Sequence, residues 1–318
     1  MNNFEYARAR SVDGAIKLST VDSRFLAGGI DLFGEMKEYI ISPSRVIDLK
    51  LIADLDRIDT STATWNLGAN VTMAEIAKNR EIIATLPGLA EAASEVASPQ
   101  IRNVATLGGN LAQHSRCWYY RHRDLRCLKR GGATCYAREG ENKYHSLFSG
   151  NPCVSPAVSN LAVILAALDA RVKVRRGDKE LIQTIGELYS AAWSNPLAHN
   201  SLLQGDLIVG VEIPTEKNRS TYVQVSEKGD FDWALVSCAA AGRKTGDKWD
   251  GISIFLGAVA PIPYPVESPL LEAGEVSHEA IESAAESIAS KATPLEHNGY
   301  KVPIAQALIR RALTRMIS

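Results

Sequence analysis

The sequence contains no C-x-x-C pair, no G-x-G-x-x-G run, no tandem repeat and no low-complexity tract. It also lacks an apolar run long enough to span a bilayer, so no membrane insertion is expected. Its opening residues, MNNFEYARARSVDGA, have no apolar stretch of the kind a secretory signal needs. Net charge is equally scarce: 35 basic residues stand against 36 acidic ones, leaving −1. No bulk field therefore draws the chain towards nucleic acid or a membrane surface. A cytoplasmic chain is expected, or a periplasmic one if a signal-bearing partner exports the folded assembly. The missing G-x-G-x-x-G disfavours a Rossmann dinucleotide fold. The missing C-x-x-C removes the usual mark of a zinc ribbon or a ferredoxin run.

At 318 residues, 46% apolar and 22% charged, the chain has the length and composition of an ordinary globular protein with more than one domain. Strands are expected near 4–10, 44–49, 64–67, 170–175 and 206–213. Ser11 caps a short helix, Thr72-Met73-Ala74-Glu75 is a capping box, and a helix over 88–97 is ended by Pro99. Ser159 caps an apolar helix over 160–168. The polar run 215–220 reads as a boundary. The last hundred residues read as a separate α+β unit, with strands at 222–227, 234–242 and 252–259 and helices at 278–291 and 303–316.

Two stretches carry chemistry. Arg24 to Leu32 is a strand, a Gly28-Gly29 turn and a helix start, where backbone amides can cradle phosphate. A carboxylate beside a pyrophosphate repels it, so Asp31 is expected to cap the helix. Thr106-Leu107-Gly108-Gly109-Asn110 is a glycine loop that lets backbone approach a ligand, flanked by a hydroxyl and an amide.

Behind that loop, four of the five cysteines fall between positions 117 and 153: Cys117, Cys127, Cys135 and Cys153. Clustering of this kind in a reducing compartment means metal more often than disulfide. The spacings (x9, x7, x17) do not name the metal. Arginines and lysines outnumber acids in the segment, which suits four thiolates. His114, His122 and His145 lie nearby. Each reads more readily as a surface or packing residue than as a ligand, and Cys238 reads as core.

Together, AGGIDL, ASPQIRNVATLGGN, SEKGDFDWALVSCAAA and YKVPIAQALIRRAL resemble the FAD-binding medium subunit of the xanthine oxidase family of molybdenum hydroxylases. The resemblance covers nearly the whole chain. It implies an α+β fold: a two-part FAD-binding domain of the vanillyl-alcohol-oxidase (PCMH) type over 1–214, with parts at about 1–56 and 57–214. A C-terminal α+β domain of the CO dehydrogenase flavoprotein type follows over 215–318. It implies that Leu26, Ala27, Gly28, Gly29, Ile30, Asp31 and Leu32 hold the FAD pyrophosphate, with Thr106, Gly109 and Asn110 opposite. Asn160 would touch FAD, and Lys228 would lie near the isoalloxazine. Ile30 stands where threonine is common, and Asn160 where aspartate is common.

The insertion 115–154 resembles that of bacterial periplasmic aldehyde oxidoreductases, in which RCWY and three further cysteines ligate a [4Fe-4S] cluster. By that resemblance Cys117, Cys127, Cys135 and Cys153 are the ligands. The implied partners are a large molybdenum-cofactor subunit and a small subunit with two [2Fe-2S] clusters. Electrons would pass through those clusters to FAD and then to an external acceptor. Three other readings remain: the medium subunit of a 4-hydroxybenzoyl-CoA reductase or other xanthine dehydrogenase-like hydroxylase, a stand-alone NAD(P)H-dependent flavin reductase, and a zinc-stapled interaction module.

Overall fold

The chain begins with three short parallel strands, β1 (Glu5–Arg8), β2 (Ser23–Leu26) and β3 (Arg45–Asp48), with β3 in the middle. The structure, a computed structural model, describes residues 1–229 and 231–318. Helix α1 (Val12–Leu18) starts where Ser11 accepts the Gly14 N–H, as the sequence indicates. Helix α2 (Ile30–Lys37) leaves β2 through the glycine turn. Gly29 sits at its N-cap with φ of 73°, a left-handed conformation that glycine adopts without strain. The expected Asp31 cap is not made. Asp31 lies inside the first turn, and α2 has no side-chain cap.

Strands β4 (Ile58–Asp59) and β5 (Thr64–Gly68) follow, then five short helices: α3 (Met73–Lys78), α4 (Arg80–Thr85), α5 (Pro87–Ser94), α6 (Pro99–Arg102) and α7 (Leu107–Ala112). The Thr72–Glu75 capping box is present. Pro99 does not end a helix but begins α6, capped by Ser98. At a first helical position its missing N–H costs nothing. The stretch Thr106–Asn110, read as a loop, is the first turn of α7: Thr106 Oγ accepts the Gly109 N–H at 3.3 Å.

The cysteine segment holds little regular structure beyond α8 (Trp118–Arg121). Helix α9 (Asn160–Ala167), strands β6 (Arg171–Arg176) and β7 (Lys179–Thr184), helix α10 (Ile185–Ser194) and strand β8 (Leu207–Pro214) complete the second part. Its antiparallel sheet runs β4-β5-β8-β6-β7, so the last strand made sits in the centre. Strand β7 and helix α10 escaped the sequence reading. Thr184 and Glu187 form a second capping box and were the available signal.

A four-stranded antiparallel sheet follows: β9 (Arg219–Ser226), β10 (Ala234–Thr245), β11 (Lys248–Gly257) and β12 (Tyr264–Pro265), in the order β12-β11-β10-β9. Helices α11 (Pro269–Glu272), α12 (His278–Ser287) and α13 (Lys301–Ile317) come last. One sheet face, through Val236, Cys238 and Ala240, joins the core of α12 and α13. The other, through Tyr222, Ala239 and Ala241, joins the core of α5 and α9. This explains why β10 is apolar from Ala234 to Gly242 save for Ser237. One hydrophobic core continues across the boundary into the C-terminal unit. Cys238 is fully buried, as expected. Among the described residues no helix is long and apolar enough to cross a membrane.

Candidate functional site

A cleft of about 550 Å³ opens between the β2–α2 turn and the start of α7. Ala27, Gly28, Gly29, Ile30, Asp31 and Leu32 line one wall, while Thr106, Gly109 and Asn110 line the other, with Asn160 beyond them. Leu26 is buried behind the turn in a small core with Met36 and Val46. Lys228 is exposed and does not line the cleft. Phe231, Asp232 and Trp233 from the same loop do so instead.

The two walls differ in what they offer. In α7 every early amide is already bonded: Leu107 to Val71 O, Gly108 to Ala69 O, Gly109 to Thr106 Oγ and Asn110 to Thr106 O. Gly108 is small because of Ala69, whose Cβ lies 2.9 Å from where a side chain would stand. In α2 the first-turn amides of Ile30, Asp31 and Leu32 find no acceptor among the described residues. Free amides at a helix N-terminus are able to bind an anion. The α7 wall contributes side chains. Asn110 Oδ1 accepts from the Ser159 hydroxyl, leaving the amide N–H groups, and Thr106 keeps a hydroxyl proton. Asn160 lines the cleft, but its amide donates to Tyr222 and Gln224, both at 3.0 Å.

Asp31 does not face a phosphate unpaired. Its carboxylate accepts from the His114 N–H at 2.7 Å and from Arg121 at 2.7 Å, and Arg116 lies at 2.9 Å. One turn on, Glu35 is 2% exposed. It accepts from Tyr120 Oη at 2.7 Å, meets His114 Nδ1 at 3.0 Å, and has Arg121 at 3.8 Å. Asp31, Glu35 and His114 are spaced like a metal site, but the Arg121 guanidinium already stands among them.

Burial raises the Glu35 carboxyl, yet His114, Arg121 and Tyr120 more than reverse it, so it titrates below the ordinary 4.5. The sign is that of a depressed acid: its stabilisation is complete above 4.5 and lost as pH falls through the lower folded value. Acid melting of the wild type should therefore steepen below about pH 4.5 and flatten in Glu35→Gln, read by circular dichroism. Parallel acid profiles for the two proteins would refute this.

Arg116 and Trp233 are among the cleft residues that sequence reading missed. The guanidinium stacks on the indole at 4.6 Å. Their signals were the arginine beside the first cysteine and the tryptophan inside SEKGDFDWA.

The cysteine segment lies directly behind this wall. Cys117, Cys127, Cys135 and Cys153 line one small cavity, with Tyr119, Tyr120, Lys129 and His145 around it. Backbone N–H groups are aimed at three of the sulfurs. Those of Tyr120 and Tyr119 reach Cys117, those of Val154 and Ala137 reach Cys135, and that of Ser155 reaches Cys153. The neighbouring Cys153 thiol holds Cys135 below the ordinary thiol range, while burial pushes Cys117 up to about 11. Lys129 is 8% exposed, bonds to Ala198 O at 2.8 Å, and sets its charge close to all four sulfurs. His145 is buried with Nε2 3.1 Å from Cys117 Sγ, and burial lowers it to about 4, so it is neutral. His122 is on the surface.

Known proteins resemble this chain in sequence and in fold. Residues 2–216 match the family model described as the FAD binding domain in molybdopterin dehydrogenase. Residues 220–316 match the CO dehydrogenase flavoprotein C-terminal domain. The aldehyde oxidoreductase FAD-binding subunit PaoB of Escherichia coli is 29% identical over 320 residues, covering 98% of each chain. The carbon monoxide dehydrogenase medium chain of Hydrogenophaga pseudoflava is 26% identical over 321 residues, covering 98% of this chain and 96% of that one. A solved structure of carbon monoxide dehydrogenase from that organism superposes with a TM-score of 0.76 at 23% identity, covering 99% and 97% of the two chains. With its free-amide turn, its two-walled cleft and both family models in place, this chain belongs to the FAD-binding medium subunits of the molybdopterin dehydrogenases, a family of oxidoreductase subunits.

Proposed function

We propose that this chain carries FAD and a [4Fe-4S] cluster side by side, as the electron-transfer subunit of an aldehyde-oxidising molybdenum hydroxylase. In this reading a large subunit holds the molybdenum cofactor and the organic substrate. A small subunit with two [2Fe-2S] clusters feeds this chain, and an external acceptor drains it. The likeness to an aldehyde oxidoreductase subunit over 98% of the chain supports the aldehyde class.

The observation that carries the proposal is the meeting of four cysteines, distant in sequence, on one cavity behind the FAD cleft. A single tetrahedral zinc ion, with Zn–S near 2.3 Å, would draw the sulfurs to within about 3.8 Å of one another. No three of these sulfurs gather within 4.8 Å among the described residues. Backbone N–H groups on the sulfurs and a buried lysine offset the charge of thiolate ligands. His145 completes the wall as a neighbour of Cys117.

FAD, when bound, supplies a two-electron carrier that can also pass electrons singly. The residues position it. The amides of Ile30, Asp31 and Leu32 face its diphosphate, and Arg116 and Arg121 cancel the charge of Asp31 beside it. Asn110 and Thr106 offer hydrogen bonds from the opposite wall. Asn160 and Lys228 keep their proposed places near the flavin as the weaker part of the site, since Asn160 is partly spent on Tyr222 and Lys228 projects to solvent.

The test is anaerobic purification with iron, zinc and flavin analysis on wild type and Cys127→Ser. Wild type should hold about four irons and one FAD per chain, with an iron–sulfur absorption band. Cys127→Ser should lose the iron and still take up one FAD when flavin is in excess. Zinc in wild type, or no metal, would overturn the cluster and leave the flavin.

A further inference from the structure

We infer that Asp31 and Glu35 are positioning residues that let the cysteine segment set the shape of the FAD diphosphate turn, so that the two sites load cooperatively. The inference rests on the two-cofactor reading above.

The sequence puts the two carboxylates four apart on α2, hence on one helical face. The opposite face, with Leu32, Phe33 and Met36, packs against Leu26 of β2 and Val46 of β3. Among the described residues, every polar partner of the two carboxylates comes from positions 114 to 121: His114, Arg116, Tyr120 and Arg121. That run contains Cys117, and Tyr120 lines both the carboxylate cluster and the cysteine cavity. Arg121 ties the run to itself, since Nε donates to Ser115 O at 2.7 Å.

A buried carboxylate stripped of its partners is costly, far more than an exposed ion pair. Glu35 can stay buried only while 114–121 holds its fold. The first turn of α2, whose free amides face the cleft, includes Asp31 itself. Ligation at Cys117 fixes the run, the run fixes α2, and α2 presents the amides. Coupling between two sites is reciprocal, so bound FAD must equally strengthen retention of the metal.

The test measures the FAD dissociation constant by flavin fluorescence on the full chain, iron-loaded and chelator-stripped. Stripping wild type should weaken FAD about 5- to 150-fold, the usual span of coupled sites. FAD should also slow iron loss to the chelator. Loaded Arg121→Gln should bind FAD more weakly, and stripping should then change its affinity less than about twofold. If Arg121→Gln does not fold, Arg116→Gln, at the more exposed arginine, replaces it with the same expectation in smaller measure. An unchanged dissociation constant in wild type after verified loss of iron would overturn the inference and leave the two-cofactor reading intact. If wild type never holds iron, that reading fails. Asp31→Asn then decides the latch alone: weakened FAD binding sustains it, and unchanged binding ends it.

Discussion

Gly28→Ala should weaken FAD binding by about 10- to 100-fold, the scale set by an overpacking strain of about 1–3 kcal/mol at roughly 1.4 kcal/mol per decade. A methyl group at this position would sit 2.1 Å from the Val104 carbonyl oxygen and 2.9 Å from its carbon. Both are backbone atoms, so no side chain can swing aside. The strand-to-helix turn would have to move off the residues that enter α7, and these two pieces are the walls of the cleft. Its amides would then be aimed wrongly at the diphosphate. Flavin titration of the purified variant reads the loss directly, and a dissociation constant within about twofold of wild type would mean the walls do not need this approach.

Lys301→Met should lower the melting temperature by about 10 °C or more. Lys301 is completely buried, and its ammonium donates to Tyr144 O at 3.0 Å, His145 O at 3.0 Å and Ala258 O at 2.9 Å. Three donors meet three acceptors, with none to spare. Methionine fills the volume and bonds to none of them. Each buried carbonyl left unpaired costs about 1–3 kcal/mol, and each kcal/mol moves the midpoint of a chain of this size by roughly 2–4 °C. The sum belongs to the rare class of severe single substitutions. Two of the three carbonyls belong to the cysteine segment, so iron should also leave the variant faster under chelation. Calorimetry showing a shift of under about 3 °C would refute the accounting.

The two cases show what the sequence could and could not reveal. Gly28-Gly29 was legible as a strand-to-helix turn, because glycine suits the left-handed N-cap that Gly29 adopts. The Thr72–Glu75 capping box, the Ser159 cap and the largely apolar start of β10 were legible because local chemistry decides them. Lys301 was not. In YKVPIAQALIRRAL it reads as an ordinary surface lysine, and only the distant carbonyls of Tyr144, His145 and Ala258 make it a core residue. Asp31 was misread as a cap because its true partners, Arg116 and Arg121, lie about 90 positions away. The four cysteines stood out by clustering, while the cavity they share could be seen only once the chain was folded. Lys228 was chosen from a motif whose tryptophan, not its lysine, reaches the cleft.

The central place of β8 has a consequence in time. Its partners are β5 and β6, and β5 was made some 140 positions earlier. A ribosome adding about 5–20 residues per second reaches Leu207 roughly 3–10 s after Cys153. Through that interval the sheet lacks its middle strand, and Val259, Thr293, Asn298 and Lys301, which later stitch down 143–148, do not yet exist. The four thiols thus emerge on an open, half-made scaffold. If the four thiols take a metal as proposed, it would have its widest access to them in that interval.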